Sequence, residues 1–222
     1  MSAATAGARI DPAARELVTA ALVADALDAV GYRDRCLDPA IAPLDPEMRV
    51  LGRAFTVAVE VATEVPEEPY VGLLRALDAL GTDHVYLIPT GGDLRAAMWG
   101  ELVASSARAR GAVGMVTDGA IRDTCKLSDL GFPTFATAHT PRDINGRFDV
   151  VAHQVPVEIG GIRVEPGDLI VGDRDGVVVV PKEVEEPVIA AALEKARAEN
   201  SMRDELAAGV LPSEAFARHK VL

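Results

Sequence analysis

Residues 84–123 read HVYLIPTGGDLRAAMWGELVASSARARGAVGMVTDGAIRD, and this stretch decides the fold. The β-branched and apolar run 84–88 predicts a strand, Gly91-Gly92 a loop, 101–110 a helix closed by Gly111, and 113–117 a second strand. Strand, helix and strand in succession form the repeating unit of layered α/β folds. A ten-residue helix advances roughly 15 Å at ~1.5 Å per residue. The strand after it returns roughly 16 Å at ~3.3 Å per residue. Glu101, at the helix start, and Arg122-Asp123, just past the strand end, are thereby expected at the carboxyl edge of the sheet, where open α/β folds place their ligands.

Reading outward toward the N-terminus, Asp11-Pro12 is a helix start, and Leu17, Leu22, Leu27 and Val30 lie on an alanine-rich helix that ends at Gly31. A proline-rich stretch, 38–46, leads into a strand over 49–61. Tyr70, Leu73, Leu74, Leu77 and Leu80 then give 66–80 helical spacing, with a stop at Gly81. On the other side, 122–130 predicts a short helix stopped by Gly131, and 133–138 a strand. From Gly146 the texture is mostly β, with strands at 148–153, 156–159, 169–171 and 177–180 separated by Gly160-Gly161, Pro166-Gly167 and Asp175-Gly176 turns. A charged, alanine-rich helix over 183–208 and a short one over 212–219 complete the chain. Repeats and low-complexity tracts are absent, so the two halves are expected to share one core.

The 222 residues suit one domain with a full hydrophobic core. Acidic residues outnumber basic ones, 34 to 22, and the net charge of −12 disfavours nucleic acid and anionic membranes as partners. Cys36 and Cys125 form no CxxC pair, and His84, His139, His153 and His219 show no ligand spacing, which argues against zinc. The start lacks a basic segment followed by an apolar core, and no apolar run approaches the ~18 residues of a membrane span. The sequence therefore reads as cytoplasmic, with reduced thiols.

Carboxylate oxygens suit a hard divalent cation such as Mg²⁺ or Mn²⁺, which keeps several waters and takes one or two protein ligands. Asp123 is the candidate direct ligand. Arg122 offers a guanidinium fork to a substrate carboxylate or enolate oxygen. The N–H groups at the helix start, from Gly100, Leu102 and Val103, form a second anion site. The same residues also fit a plainer reading, a surface ion pair at a helix start beside an ordinary turn glycine. Gly91-Gly92-Asp93 is expected to border the same pocket or to be simply a loop. His139, His153 and Cys125 read as structural, and Asp173 and Asp175 as turn residues.

At Gly100-Glu101-Leu102, Asp118-Gly119-Ala120-Ile121-Arg122-Asp123, Gly131-Phe132-Pro133, Thr140-Pro141-Arg142, Gly167-Asp168-Leu169-Ile170 and 175–181 (DGVVVVP), the chain resembles the RraA-like family. That family includes 4-hydroxy-4-methyl-2-oxoglutarate aldolases and regulators of ribonuclease activity A. The resemblance implies an α/β, swivelling β/β/α-type single domain over 11–185, with a flexible N-terminus over 1–10 and a C-terminal helical extension over 186–222. It further implies a homotrimer or homohexamer with sites near subunit boundaries, and a metal-dependent pyruvate aldolase (a carbon–carbon lyase) with oxaloacetate decarboxylase side activity. Glu101 stands where the family usually has Asp, and is expected to meet the metal through water. The run Thr124-Cys125-Lys126 replaces the acidic residue many members carry shortly after Arg-Asp. A neighbouring subunit's C-terminal carboxylate also belongs to the family's metal site, for which Glu194, Glu199 and Glu205 are candidates, though charged helix faces are usually just solvated.

The reaction this implies is retro-aldol cleavage of a 4-hydroxy-2-oxo acid to pyruvate and a carbonyl product, with Arg122, Glu101 and Asp123 as the catalytic group. A water positioned by Glu101 is the economical base, and no lysine is placed for a Schiff base. The alternatives are a non-enzymatic regulator that binds ribonuclease E, and other metal-enolate lyase chemistry on a related oxo acid.

Overall fold

The strand His84–Ile88, apolar on both sides, is the centre of the architecture seen in the computed structural model, which describes residue 10 and residues 12–221. Val85 and Leu87 point into one core and Tyr86 and Ile88 into another, so both faces are covered, and the absence of polar alternation follows. The helices are α1 (Pro12–Leu17), α2 (Ala20–Ala29), α3 (Val71–Asp78), α4 (Glu101–Ala109), α5 (Thr124–Leu130), α6 (Glu185–Ala207) and α7 (Pro212–His219). In the first half, the strands are β1 (Ala42–Pro43), β2 (Val50–Val61), β3 (His84–Ile88), β4 (Ala97–Trp99), β5 (Gly114–Thr117), β6 (Ala120–Ile121), β7 (Thr134–Ala136) and β8 (Ala138–His139). The second half adds β9 (Phe148–His153), β10 (Val157–Ile159), β11 (Ile162–Val164), β12 (Leu169–Asp173) and β13 (Gly176–Val180).

The main sheet runs β1-β7-β5-β3-β2-β12-β13, with β2, β3, β5 and β7 parallel and β1, β12 and β13 antiparallel to their neighbours. The outer half of β2 leaves this sheet and pairs with β9 after a register shift at Ala58/Val59. Hydrogen bonds from the 35–37 segment to β13 bring the far edge back toward β1, so the sheet is nearly closed. Its interior is filled by Val50, Ala54, Val85, Leu87, Val116, Phe135, Ile170, Val177 and Val179. The alternate residues Leu169, Val171, Val178 and Val180 face outward, under α1, α2 and α6. A bidentate pair from Arg53 on β2 to Glu185 fastens the start of α6 to the sheet.

Two helices differ from the sequence reading. The continuous helix expected to run to Gly31 is two helices: at the junction the Thr19 hydroxyl accepts the Leu22 N–H (3.3 Å), and the Ala20 N–H is taken by Asp173 (2.8 Å). Those two bonds favour a fresh N-terminus over another turn. The proposed cap Asp11, like the flexible segment expected over 1–10 apart from residue 10, lies outside the described residues. The helix expected from 66 begins only at Val71, because Pro66 and Pro69 disfavour helical conformation in the residues before them and Tyr70 adopts φ 65°. Strands β1, β4, β6 and β11 were not anticipated, and the single strand expected over 133–138 is two, β7 and β8, in different sheets. Among the described residues no helix is long and apolar enough to cross a membrane.

Candidate active site

Three short parallel strands, β4, β6 and β8, form a second sheet in the order β4-β6-β8. Each delivers one part of the site from its carboxyl end. β4 runs into Gly100 and the first turn of α4, β6 into Arg122-Asp123, and β8 into the 140–145 loop. Backbone bonds lock the ends together: the Arg122 N–H donates to the Trp99 carbonyl (2.9 Å), Thr140 to Ile121 (3.0 Å) and Ala97 to Arg142 (2.9 Å). Trp99 is 1% exposed and packs between Tyr86 and Phe132, with ring centroids 5.5 and 6.0 Å away, so the residue before Gly100 is fixed in the core.

The expected meeting of Glu101 with Arg122-Asp123 occurs. The Glu101 N–H lies 3.4 Å from Asp123 Oδ2, a long contact, and Arg122 Nε is 3.7 Å from the same oxygen. Gly100 makes this possible: a Cβ there would come within 2.7 Å of Asp123 Oδ2 and 3.1 Å of Arg122 Cγ. Its backbone is extended (φ −160°), so the glycine is required by close approach and not by dihedral freedom. Asp123 itself holds φ 56° at the start of α5, an uncommon conformation that aspartate tolerates better than most residues.

The Glu101 carboxylate accepts the Ser105 hydroxyl (3.0 Å) and, with Lys126, Asp129 and Leu130, lines a cleft of about 390 Å³. Leu102 is 80% exposed and Val103 half-buried against the core; their first-turn N–H groups have no intrahelical carbonyl to bind. Gly91 and Gly92 turn with positive φ, the loop is pinned by Asp118 accepting the Thr90 N–H (2.5 Å), and Asp93 pairs with Arg95 instead of a site residue. Of the C-terminal carboxylates, Glu205 pairs with Arg218 (3.0 Å) and Glu199 lies 3.9 Å from Lys195.

Sequence reasoning missed Asp143 and Tyr70. Asp143 Oδ1 binds Arg122 (3.0 Å), and Oδ2 accepts the Tyr70 hydroxyl (2.5 Å). Burial opposes ionisation of Asp143, but the Tyr70 hydroxyl, the Asn145 N–H, Arg122 and the Ile144 N–H outweigh it and hold the carboxyl below its ordinary range. Tyr70 is pushed up in turn, first by its bond to Asp143. The one available signal was the position of Asp143 directly after Thr140-Pro141-Arg142, a motif already noted.

Asp123 and Asp143 thus flank one guanidinium, while the Glu101 carboxylate turns to Ser105 and the cleft beside Lys126. Among the described residues the Asp123 carboxylate is reached by just the two long contacts above, and it is partly exposed beside a bare Cα that leaves it room. This oxygen chemistry fits a hard divalent cation. Among the described residues no three His, Cys, Asp or Glu side chains converge as a ligand set.

Residues 20–179 match the model of the RraA-like family, described as Aldolase/RraA. The chain belongs to that family. A relative from Halalkalibacterium halodurans, named "Putative 4-hydroxy-4-methyl-2-oxoglutarate aldolase", is 35% identical over 173 residues, covering 78% of this chain and 77% of that protein. Protein DlpA of Legionella pneumophila is 27% identical over 187 residues, 84% of this chain but 30% of DlpA, so this chain corresponds to a part of that protein. Among solved structures, Streptomyces coelicolor RraAS2, described as an unusual member of the RNase ES inhibitor RraA protein family, superposes with a TM-score of 0.79 at 28% identity, over 89% of this chain and 100% of that one. The α/β architecture expected from the sequence is therefore the RraA-like fold, and Gly100, Glu101, Arg122 and Asp123 all lie within the matched region.

Proposed function

We propose that this RraA-like protein is a divalent-metal-dependent pyruvate aldolase that cleaves a 4-hydroxy-2-oxo acid, of the 4-hydroxy-4-methyl-2-oxoglutarate kind, and decarboxylates oxaloacetate as a side activity. The observation that carries the reading is the convergence of Arg122 and Asp123 on the Gly100-Glu101 helix start, with glycine clearing the space between them. Asp123 would hold Mg²⁺ or Mn²⁺ directly and Glu101 through a water. The cation, when bound, supplies Lewis-acid polarisation of the 2-oxo acid.

The remaining work falls to the chain itself. The N–H groups of Leu102 and Val103, at the positive end of α4, receive the substrate carboxylate, and Gly100 lets it approach the backbone. A water positioned by Glu101 would take the 4-hydroxyl proton as the C4 carbonyl forms and the C3–C4 bond breaks; the electron pair leaves charge on the keto oxygen, which the Arg122 guanidinium neutralises, and return of a proton to C3 completes pyruvate. Loss of CO₂ from oxaloacetate leaves the same charge at the same atom, so one arrangement serves both reactions. The trimeric or hexameric assembly in which a neighbouring subunit closes the pocket is what membership of the RraA-like family implies. A cytoplasmic location accords with two exposed, unpaired cysteines.

A pyruvate-release assay over a panel of 4-hydroxy-2-oxo acids and oxaloacetate tests this. EDTA is expected to abolish release, Mg²⁺ or Mn²⁺ to restore it, and Arg122→Ala or Asp123→Ala to lower it by about 10²–10³-fold. Undiminished turnover in EDTA, or in Arg122→Ala, sinks the proposal. The likeness to RraAS2 favours a second reading, a regulator that binds ribonuclease E without catalysis. Tight ribonuclease binding together with inert assays across the panel would put that reading first; a lyase acting on another oxo acid would instead show as turnover confined to one unexpected substrate.

A further inference from the structure

Arg122 is a long side chain, 38% exposed, and an arginine so placed ordinarily samples several rotamers, while its ion pairs are worth little. Here its partner is itself held. Asp143 divides its two oxygens: Oδ2 takes the Tyr70 hydroxyl at 2.5 Å and the Asn145 N–H at 3.2 Å, leaving Oδ1 for Arg122 Nη1 at 3.0 Å. Tyr70 is anchored in turn. It sits at φ 65°, a conformation costly for an aromatic residue, at the N-cap of α3. That helix lies so close to β9 that a Cβ on Gly72 would come 1.7 Å from the Val150 carbonyl oxygen, so α3 is seated tightly on the strand. The strain at Tyr70 needs a reason, since the ring is only half-buried and, among the described residues, its hydroxyl bonds to Asp143 alone.

We propose that Tyr70 and Asp143 are positioning residues that hold the Arg122 guanidinium in the orientation the substrate meets, through the ordered chain Tyr70 hydroxyl, Asp143 carboxylate, Arg122. The inference rests on the aldolase reading for its catalytic consequence and on the geometry alone for the ordering of Arg122. Two residues remote in sequence, one on a strained helix start and one on the loop after β8, thereby set the direction of the charge on a third. Neither touches the reacting atoms.

Two measurements on the full-length, metal-loaded protein test it. In a double-mutant cycle of Tyr70→Phe with Arg122→Lys, read by oxaloacetate decarboxylation and by 4-hydroxy-2-oxo acid cleavage, Tyr70→Phe is expected to lower kcat about tenfold with KM changed less than about twofold, and to lower it less than about twofold further in the Arg122→Lys background. A merely structural Tyr70 would act equally in both backgrounds. In parallel, ¹H–¹⁵N spectra of the arginine Nε–H groups, with Arg122 assigned by the signal lost in Arg122→Lys, are expected to show a sharp, shifted Arg122 resonance that moves toward the averaged position in Tyr70→Phe and in Asp143→Asn. Asp143→Asn keeps the loop filled and provides the second variant if Tyr70→Phe folds poorly. An unmoved Arg122 resonance in both variants, or additive losses in the cycle, overturns the positioning role. A wild-type protein that releases no pyruvate overturns the aldolase reading instead, and the spectra still decide whether Tyr70 and Asp143 order Arg122.

Discussion

Replacing Gly100 by alanine isolates the close approach on which the site depends. The backbone there is extended, so alanine adopts it without dihedral strain. The added methyl carbon meets Asp123 Oδ2 at 2.7 Å, about 0.7 Å inside ordinary contact, and Arg122 Cγ at 3.1 Å. Both neighbours are partly exposed and swing outward, so relief costs the fold little. The loss to stability is mainly that of alanine at a helix N-cap, about 0.5–1 kcal/mol, or ~1–4 °C in Tm for a chain of this size. The cost to catalysis is larger, because a misplacement of ~1 Å in a reacting group can lower the rate about 10²-fold. Turnover in the pyruvate-release assay is therefore expected to fall ~30–100-fold, about 2–2.7 kcal/mol in activation free energy. Melting followed by the fluorescence of Trp99, the single tryptophan, measures the stability side. Turnover within about twofold of the parent would refute the crowding argument. So would a fall in Tm of more than ~10 °C, which would trace the loss to unfolding.

Two further outcomes concern the scaffold. His84 accepts the Gly81 N–H at Nδ1 (2.9 Å), and burial lowers its pKa although Asp83 works against the shift. Because the folded pKa lies below the unfolded value of ~6.5, the unfolded chain takes up the proton first. The contribution of His84 is thus complete above that pH and declines as pH falls through 6.5 toward the folded pKa; urea melts between pH 8 and 5 should show the decline, and His84→Gln should remove this component. Equal pH slopes for the two proteins would contradict it. Glu185→Gln leaves Arg53, 9% exposed, without its bidentate carboxylate and is expected to cost about 2–4 kcal/mol, lowering Tm by at least ~4 °C; a change within 1 °C would show that the pair contributes nothing net.

The central strands were legible because burial on both faces leaves an unbroken apolar run, as in 84–88, and α4 because a glycine stands at each end of its periodic segment. The reasoning that Glu101 and Arg122-Asp123 converge was sound in outcome, yet the cause lies elsewhere. The helix-out, strand-back path does not by itself fix their separation; β4 and β6 do, by pairing in parallel with only three and two residues. Strands so short carry no alternation to detect. Asp143 and Tyr70 escaped for a related reason. Their bond spans 73 positions of sequence, and nothing in either local context reports the other. The break at Thr19 depends on Asp173, more distant still. The N-terminal reading failed where a tertiary acceptor overrode helical periodicity.

The packing of α1 and α2 against α6 bears on how the chain emerges during synthesis. Leu22, Val23 and Leu27 on α2 are covered by Val188, Ala192 and Leu193, together with β12 and β13. These partners follow about 140–170 residues later in the sequence. At ~5–20 residues per second, the apolar face of α2 waits roughly 7–34 s on the ribosome before its cover exists. The apolar face of α2 is thus left without its native cover for most of translation, and its burial is completed only when α6 has been made.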